Sequence, residues 1–174
     1  MTAAISYRLA TISDQDKAKD MLSVVNNAFL AEGWASARHF TKGDRLELKD
    51  IEGYIINEKQ NIYIALSQDQ EVVGTLMVEF KGDDKVYMGI LTTKPGWQSM
   101  GIGGGLMRKA ILDTQSLGYK TAEIAVVEGR GQLFAWYNRL GFFETGQEQD
   151  IYGDQFHGNH VRILTMEKQL TMTN

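Results

Sequence analysis

Between Gln98 and Gly105 the chain reads Gln-Ser-Met-Gly-Ile-Gly-Gly-Gly, placing four glycines within five positions at the entry to an apolar-periodic helix. Removing side chains there lets several backbone N–H groups point at one anion, and the positive end of the helix adds to the attraction. The strand-like run Leu91-Thr92-Thr93 leads into this turn, and Pro95, the only proline of the chain, terminates it. A phosphate or pyrophosphate is the ligand such a turn suits. A Walker-type loop would require Gly-Lys-Ser/Thr, whereas Gly105 is followed by Leu106-Met107. A dinucleotide fingerprint would require a third glycine where Leu106 stands and would normally follow the first strand of a βαβ unit. Neither fits. Other residue types able to do chemistry are Tyr137, inside the aromatic run 133–142, and the strand carboxylates Glu79 and Glu123.

The spacing Gln98-x-x-Gly101-x-Gly103 resembles the Gln/Arg-x-x-Gly-x-Gly/Ala loop of the GNAT superfamily of acyl-CoA N-acyltransferases. Leu91-Thr92-Thr93-Lys94-Pro95 looks like that superfamily's Leu-x-Val-x-Pro strand end, with Thr93 in the valine slot. Leu133-Phe134-Ala135-Trp136-Tyr137-Asn138-Arg139-Leu140-Gly141-Phe142 resembles its late tyrosine-bearing helix, and Arg162 to Lys168 its final strand. The likeness is specific from about Val86 to Thr145. It implies transfer of an acetyl group from acetyl-CoA to a primary amine, without a metal. Gln98, Ser99, Met100, Gly101, Ile102, Gly103 and Gly104 would then hold the coenzyme pyrophosphate, with Leu91, Thr92, Thr93, Arg130 and Leu133 along the rest of the coenzyme. Tyr137 would protonate the leaving thiolate, and a backbone N–H at Leu91 or Thr93 would polarise the thioester carbonyl. Taken without the resemblance, the aromatic face around Tyr137 reads as core.

The chain departs from the superfamily pattern at two positions. Many relatives carry a glutamate two residues before the matched leucine, where this chain has Gly89, so a carboxylate acting directly as base is in doubt. Glu79 and Glu123 could act through water, although strand glutamates more often face solvent. Arg130 stands where many relatives have asparagine, and could reach the cofactor, a substrate carboxylate or solvent. His39, His157 and His160 lie outside the matched motifs and lack the spacing of a metal site. The resemblance also implies that the segment 32–45 covers the acceptor. Within it Trp34, Phe40 and Arg45 could line a pocket for an amine bearing a carboxylate, or the two aromatics could simply pin the loop. A small-molecule amine is the favoured acceptor, ahead of a protein or peptide amine and of a non-catalytic acyl-CoA sensor. A homodimer is compatible with the resemblance.

Elements able to position these residues can be read from periodicity. Tyr7-Ala10 reads as a strand, then Ser13 and Asp14 offer a cap for a helix with Ala18, Met21, Leu22, Val25 and Phe29 inward. A second helix is expected over Leu46–Tyr54, hairpin strands over 62–66 and 72–80, and a third strand over 86–93. The helix from Ile102 should carry Leu106, Ala110 and Leu117 inward and stop at Gly118. Thr121–Val127 reads as a buried strand, Gln132–Asn138 as the late helix, and 142–147 with 161–167 as a final hairpin. Strands, then strand–helix–strand–helix, then strands give an α/β (α+β) class with helices on both faces of a mixed sheet. The resemblance adds a mostly antiparallel GNAT-like order in which the central parallel strands 86–93 and 121–127 splay apart.

With 174 residues, 43% of them hydrophobic, the chain suits a single domain spanning 1–174. It has no cysteine, which excludes thiol nucleophiles and thiolate metal sites. A net charge of −4 without a Lys/Arg-rich block argues against a nucleic-acid surface. No run of about 18 apolar residues occurs and Met1–Ser6 lacks a charged start followed by an apolar core, so the expectation is a cytoplasmic protein with no membrane partner.

Overall fold

Central strands buried on both faces read as continuous apolar runs, and Ile62–Leu66 and Val72–Val78 are such runs, with every residue buried. They sit within a seven-stranded sheet in a computed structural model that describes residues 4–33 and 35–170. The strands are β1 (Ser6–Leu9), β2 (Gln60–Leu66), β3 (Val72–Lys81), β4 (Lys85–Thr93), β5 (Thr121–Val127), β6 (Phe143–Tyr152) and β7 (His160–Gln169), in the order β1-β2-β3-β4-β5-β7-β6. Every pairing is antiparallel except β4 with β5. The helices are α1 (Ala18–Leu30), α2 (Leu48–Ile56), α3 (Ile102–Ser116) and α4 (Gly131–Arg139).

Two cores form, one on each face. Met21 and Val25 of α1 and Ile51 of α2 pack with Ile62, Ile64 and Met77 on one side. On the other, Leu106, Met107 and Ala110 of α3 and Tyr137 of α4 pack with Leu76, Val86, Met88, Ile124 and Met166. Gly74 lets α3 approach, because a Cβ there would meet Ile102 Cγ2 at 2.7 Å and the Thr92 carbonyl at 3.0 Å.

Several expected boundaries and faces are corrected. Asp14 does not cap α1 from its start. It lies in a 3-10 turn, Ile12–Lys17, where its carboxylate accepts the Thr11 N–H at 2.9 Å and both Arg8 guanidinium nitrogens at 2.7 Å. Leu117 is 67% exposed, since α3 ends at Ser116 and the chain turns through Gly118 at φ +92°. The second helix starts later, at Leu48, because Asn26 holds the preceding residues extended: its Oδ1 accepts the Arg45 and Leu46 N–H groups and its amide donates to the Leu46 carbonyl. The last hairpin is longer than expected, and its outer strand β6 is exposed along almost its whole length.

Candidate active site

The chain leaves β4 through a turn with three left-handed residues, Gly96 (φ +89°), Ser99 (φ +63°) and Gly101 (φ +78°), of which Gly101 immediately precedes α3. Gln98 braces this turn by accepting the Gly96 N–H on Oε1 at 2.7 Å. The Gly105 N–H donates to the Gly101 carbonyl at 3.0 Å, the first bond of the α3 ladder. The N–H groups of Ile102, Gly103 and Gly104 therefore stand at the open positive end of the helix. Three of the four glycines have different roles. Gly101 supplies the left-handed backbone, and Gly103 faces Trp136, whose indole a Cβ would touch at an ordinary contact distance of 3.6 Å. Gly105 serves packing alone: a Cβ there would fall 2.1 Å from Tyr7 Cζ. Met100 and Ser99 are exposed at the rim, while Leu91 and Leu133 border the core beneath.

Next to this turn the sheet opens. Parallel pairing of β4 with β5 covers only Lys85↔Thr121, Val86↔Ala122 and Tyr87↔Glu123. Beyond Tyr87 an extra residue enters β4, because Met77 pairs with Gly89 but Thr75 with Thr92. Ile90 adopts φ +53°, unusual for a β-branched residue. The bulge reverses the pleat: Val86 and Met88 face the α3–α4 core, Ile90 turns to the α1–α2 core, and Leu91 returns to the first. Thr75 holds it in place, bonding the Ile90 carbonyl at 3.1 Å and the Thr92 hydroxyl at 2.6 Å. The Thr92 side chain is thereby committed inside the sheet, leaving only its backbone for any ligand.

Tyr137 lies beside the opening, 9% exposed, with Trp136 and Phe142 edge-on at 4.9 and 5.8 Å. Among the described residues its hydroxyl has no hydrogen-bond partner. Burial, reinforced by the Tyr87 phenol, pushes its pKa well above the ordinary tyrosine value, with Arg130 opposing. A phenol so placed stays protonated and available as a donor.

Arg130 engages the segment that precedes α2. Its guanidinium donates to the Ala35 and Ser36 carbonyls at 2.5 and 2.9 Å and lies 5.5 Å from the Phe40 ring centroid, and its burial lowers its pKa. Phe40 and Arg130 thus tie the segment 35–42 to the start of α4. The turn between β6 and β7 closes the same segment from the far side, through the Lys42 N–H to the Gln155 carbonyl and the His157 N–H to the Phe40 carbonyl. Arg45 lies over the Phe29 ring at 5.5 Å, and its guanidinium enters no ion pair among the described residues. Trp34 lies outside the described residues.

Of the two carboxylates, Glu123 is committed to Lys85 at 3.3 Å and Lys81 at 3.5 Å. Among the described residues Glu79 accepts only a long hydrogen bond from Gln60 at 3.4 Å. Sequence reasoning passed over Tyr87 and Tyr54, whose hydroxyls both feel the Arg45 charge. The signal for Tyr87 was its spacing, two positions before a glycine within a strand. No group of three His, Cys, Asp or Glu side chains able to hold a metal occurs among the described residues, and no helix there is long and apolar enough to cross a membrane.

A family model for the acetyltransferase (GNAT) family matches residues 28–142, about two thirds of the chain. The chain belongs to the GNAT acetyltransferase family. Its fold agrees with solved GNAT structures. The ribosomal-protein-S18-alanine N-acetyltransferase of Escherichia coli superposes with a TM-score of 0.73 at 12% identity, over 98% of this chain and 97% of that one. An N-acetyltransferase of Staphylococcus aureus Mu50 gives 0.75 at 15% identity, over 97% and 99%. Nourseothricin acetyltransferase gives 0.68 at 14% identity, over 97% and 99%. No curated protein matches the sequence. The mixed sheet with splayed β4 and β5 and helices on both faces, expected from the motifs, is the fold observed.

Proposed function

We propose that this GNAT protein transfers an acetyl group from acetyl-CoA to the primary amine of a small molecule by direct attack. The observation that carries the reading is the adjacency of three features: the open N-terminus of α3, the gap beyond Tyr87↔Glu123, and the Tyr137 hydroxyl beside that gap. The N–H groups from Ser99 to Gly104 would hold the pyrophosphate, with Gln98 shaping the turn. A Leu91 or Thr93 N–H near the bulge would stabilise the oxyanion, while the amine nitrogen bonds to the thioester carbon and the C–S bond breaks. Tyr137 would give its proton to the departing thiolate.

The amine's proton would leave through water, because Gly89 stands where many relatives carry a glutamate and Glu123 is already engaged by Lys81 and Lys85. A small acceptor is favoured over a protein because the segment 35–42 is fastened on two sides, narrowing the acceptor side. Arg45, uncommitted to an acid, suits an acceptor bearing a carboxylate. The experiment is release of CoA from acetyl-CoA with the twenty amino acids, benzylamine and putrescine, run beside a peptide with an N-terminal alanine. Turnover of small amines is expected. Turnover of the peptide alone would establish a peptide acetyltransferase, and acetyl-CoA binding with no turnover of any amine would establish a sensor.

A further inference from the structure

Tyr87 has a placement that core packing does not require. Its ring folds back along β4 over Gly89: a Cβ built on that glycine would come within 2.9 Å of Tyr87 Cε1 and 3.2 Å of its hydroxyl oxygen. The hydroxyl therefore stands one residue before the bulge at Ile90, just past Tyr87↔Glu123, the last pair joining β4 and β5. It has no hydrogen-bond partner among the described residues and is not sealed from solvent. Around it, Arg45 precedes α2, Tyr54 comes from α2, Glu79 and Lys81 from β3, Glu123 from β5 and Tyr137 from α4, with the Lys81 ammonium 5.0 Å from the Tyr87 ring centroid. Two phenols thus border one opening, Tyr137 on the side of α3 and α4 and Tyr87 on the side of α1 and α2.

We propose that the Tyr87 hydroxyl receives the acceptor's amine and aims its lone pair at the thioester carbon. The proposal rests on the acetyl-transfer reading above. The phenol oxygen accepts an N–H of the neutral amine, leaving the lone pair directed across the opening. Once the N–C bond has formed and the C–S bond has broken, one proton has left nitrogen for water and one has reached sulfur from Tyr137, which regains its proton from that water, so no net proton is consumed. Tyr87 neither takes nor gives a proton in this scheme, because burial and the neighbouring Glu123 and Glu79 raise its pKa while Arg45 only partly opposes them. Tyr87 touches substrate through one hydrogen bond, and its effect belongs to the acceptor alone.

Tyr87→Phe and Gly89→Ala test this from two directions. The first keeps the ring and removes the hydroxyl, and the second keeps the hydroxyl and pushes it off its place over the strand. With the best acceptor among the amino acids, benzylamine and putrescine, both variants should raise the acceptor KM about tenfold, as loss of one hydrogen bond implies. The KM for acetyl-CoA and the thermal midpoint of Tyr87→Phe should stay at the wild-type values. The pH at which kcat rises should also be unchanged, since no ionising group is lost. An unchanged acceptor KM in Tyr87→Phe would overturn the assignment while leaving acetyl transfer intact, and so would equal losses for both substrates. A wild-type protein that turns over no amine would remove the acetyl-transfer reading and this assignment with it.

Discussion

Tyr137 combines features that core aromatics rarely share, a ring packed edge-on between Trp136 and Phe142 and a hydroxyl without a hydrogen-bond partner among the described residues. Packing alone would be served as well by phenylalanine. Tyr137→Phe should therefore leave stability and acetyl-CoA affinity near wild type while kcat falls on the order of 10²-fold, measured by CoA release and calorimetry. Full turnover in the variant would remove Tyr137 from the chemistry. The residue type and its motif were visible in the sequence, but the freedom of its hydroxyl was not, because it depends on what the neighbouring helix and strand fail to offer. Glu123 illustrates the converse. Its acidity was legible, yet the lysines that engage it come from β3 and β4, more than thirty residues away.

At the scale of elements, the entry into α1 depends on Asp14. Its carboxylate, 5% exposed, is hydrogen-bonded by the Arg8 guanidinium and by the Thr11 N–H, and these hold its pKa at about 2 against an ordinary 3.8. The folded state thus binds this proton less readily than the unfolded chain. The pair contributes stability in full above about pH 4, and the contribution disappears as pH falls toward 2. Its size is about 2 kcal/mol at neutral pH. Asp14→Asn should lower the thermal midpoint at pH 7 and flatten its decline between pH 4 and 2, as followed by circular dichroism. A parallel acid decline in both proteins would show that other carboxylates dominate. Helix and strand positions were largely readable here because periodicity survives in the apolar residues. The β4 bulge was not, since Ile90 has every local reason to be an ordinary strand residue and is held only by the distant Thr75.

Across the whole molecule, Arg130 joins parts nearly a hundred residues apart in sequence. The start of α4 grips the Ala35 and Ser36 carbonyls, and the β6–β7 turn completes the clasp on the same segment. Arg130→Ala should free this segment. Trypsin should then cut at Arg38 or Lys42 several-fold faster than in the wild type, with a higher acceptor KM and an unchanged acetyl-CoA KM. Unaltered cleavage would show that the β6–β7 turn suffices. The sequence displayed Arg130 as a departure from the family pattern without disclosing its target, because side-chain reach across the fold leaves no trace in local spacing.

The opening beyond Tyr87↔Glu123 also governs how the molecule breathes. Two halves, β1 to β4 and β5 with β7 and β6, are joined within the sheet by three register pairs. Innermost strands ordinarily shelter the slowest-exchanging amides, since releasing them demands global unfolding. Here the amides of β4 and β5 that face the gap have no rung across it, so deuterium should enter first as a stripe through the middle of the sheet instead of along its rim. A ligand lying in the gap would act as the missing rung and erase the stripe.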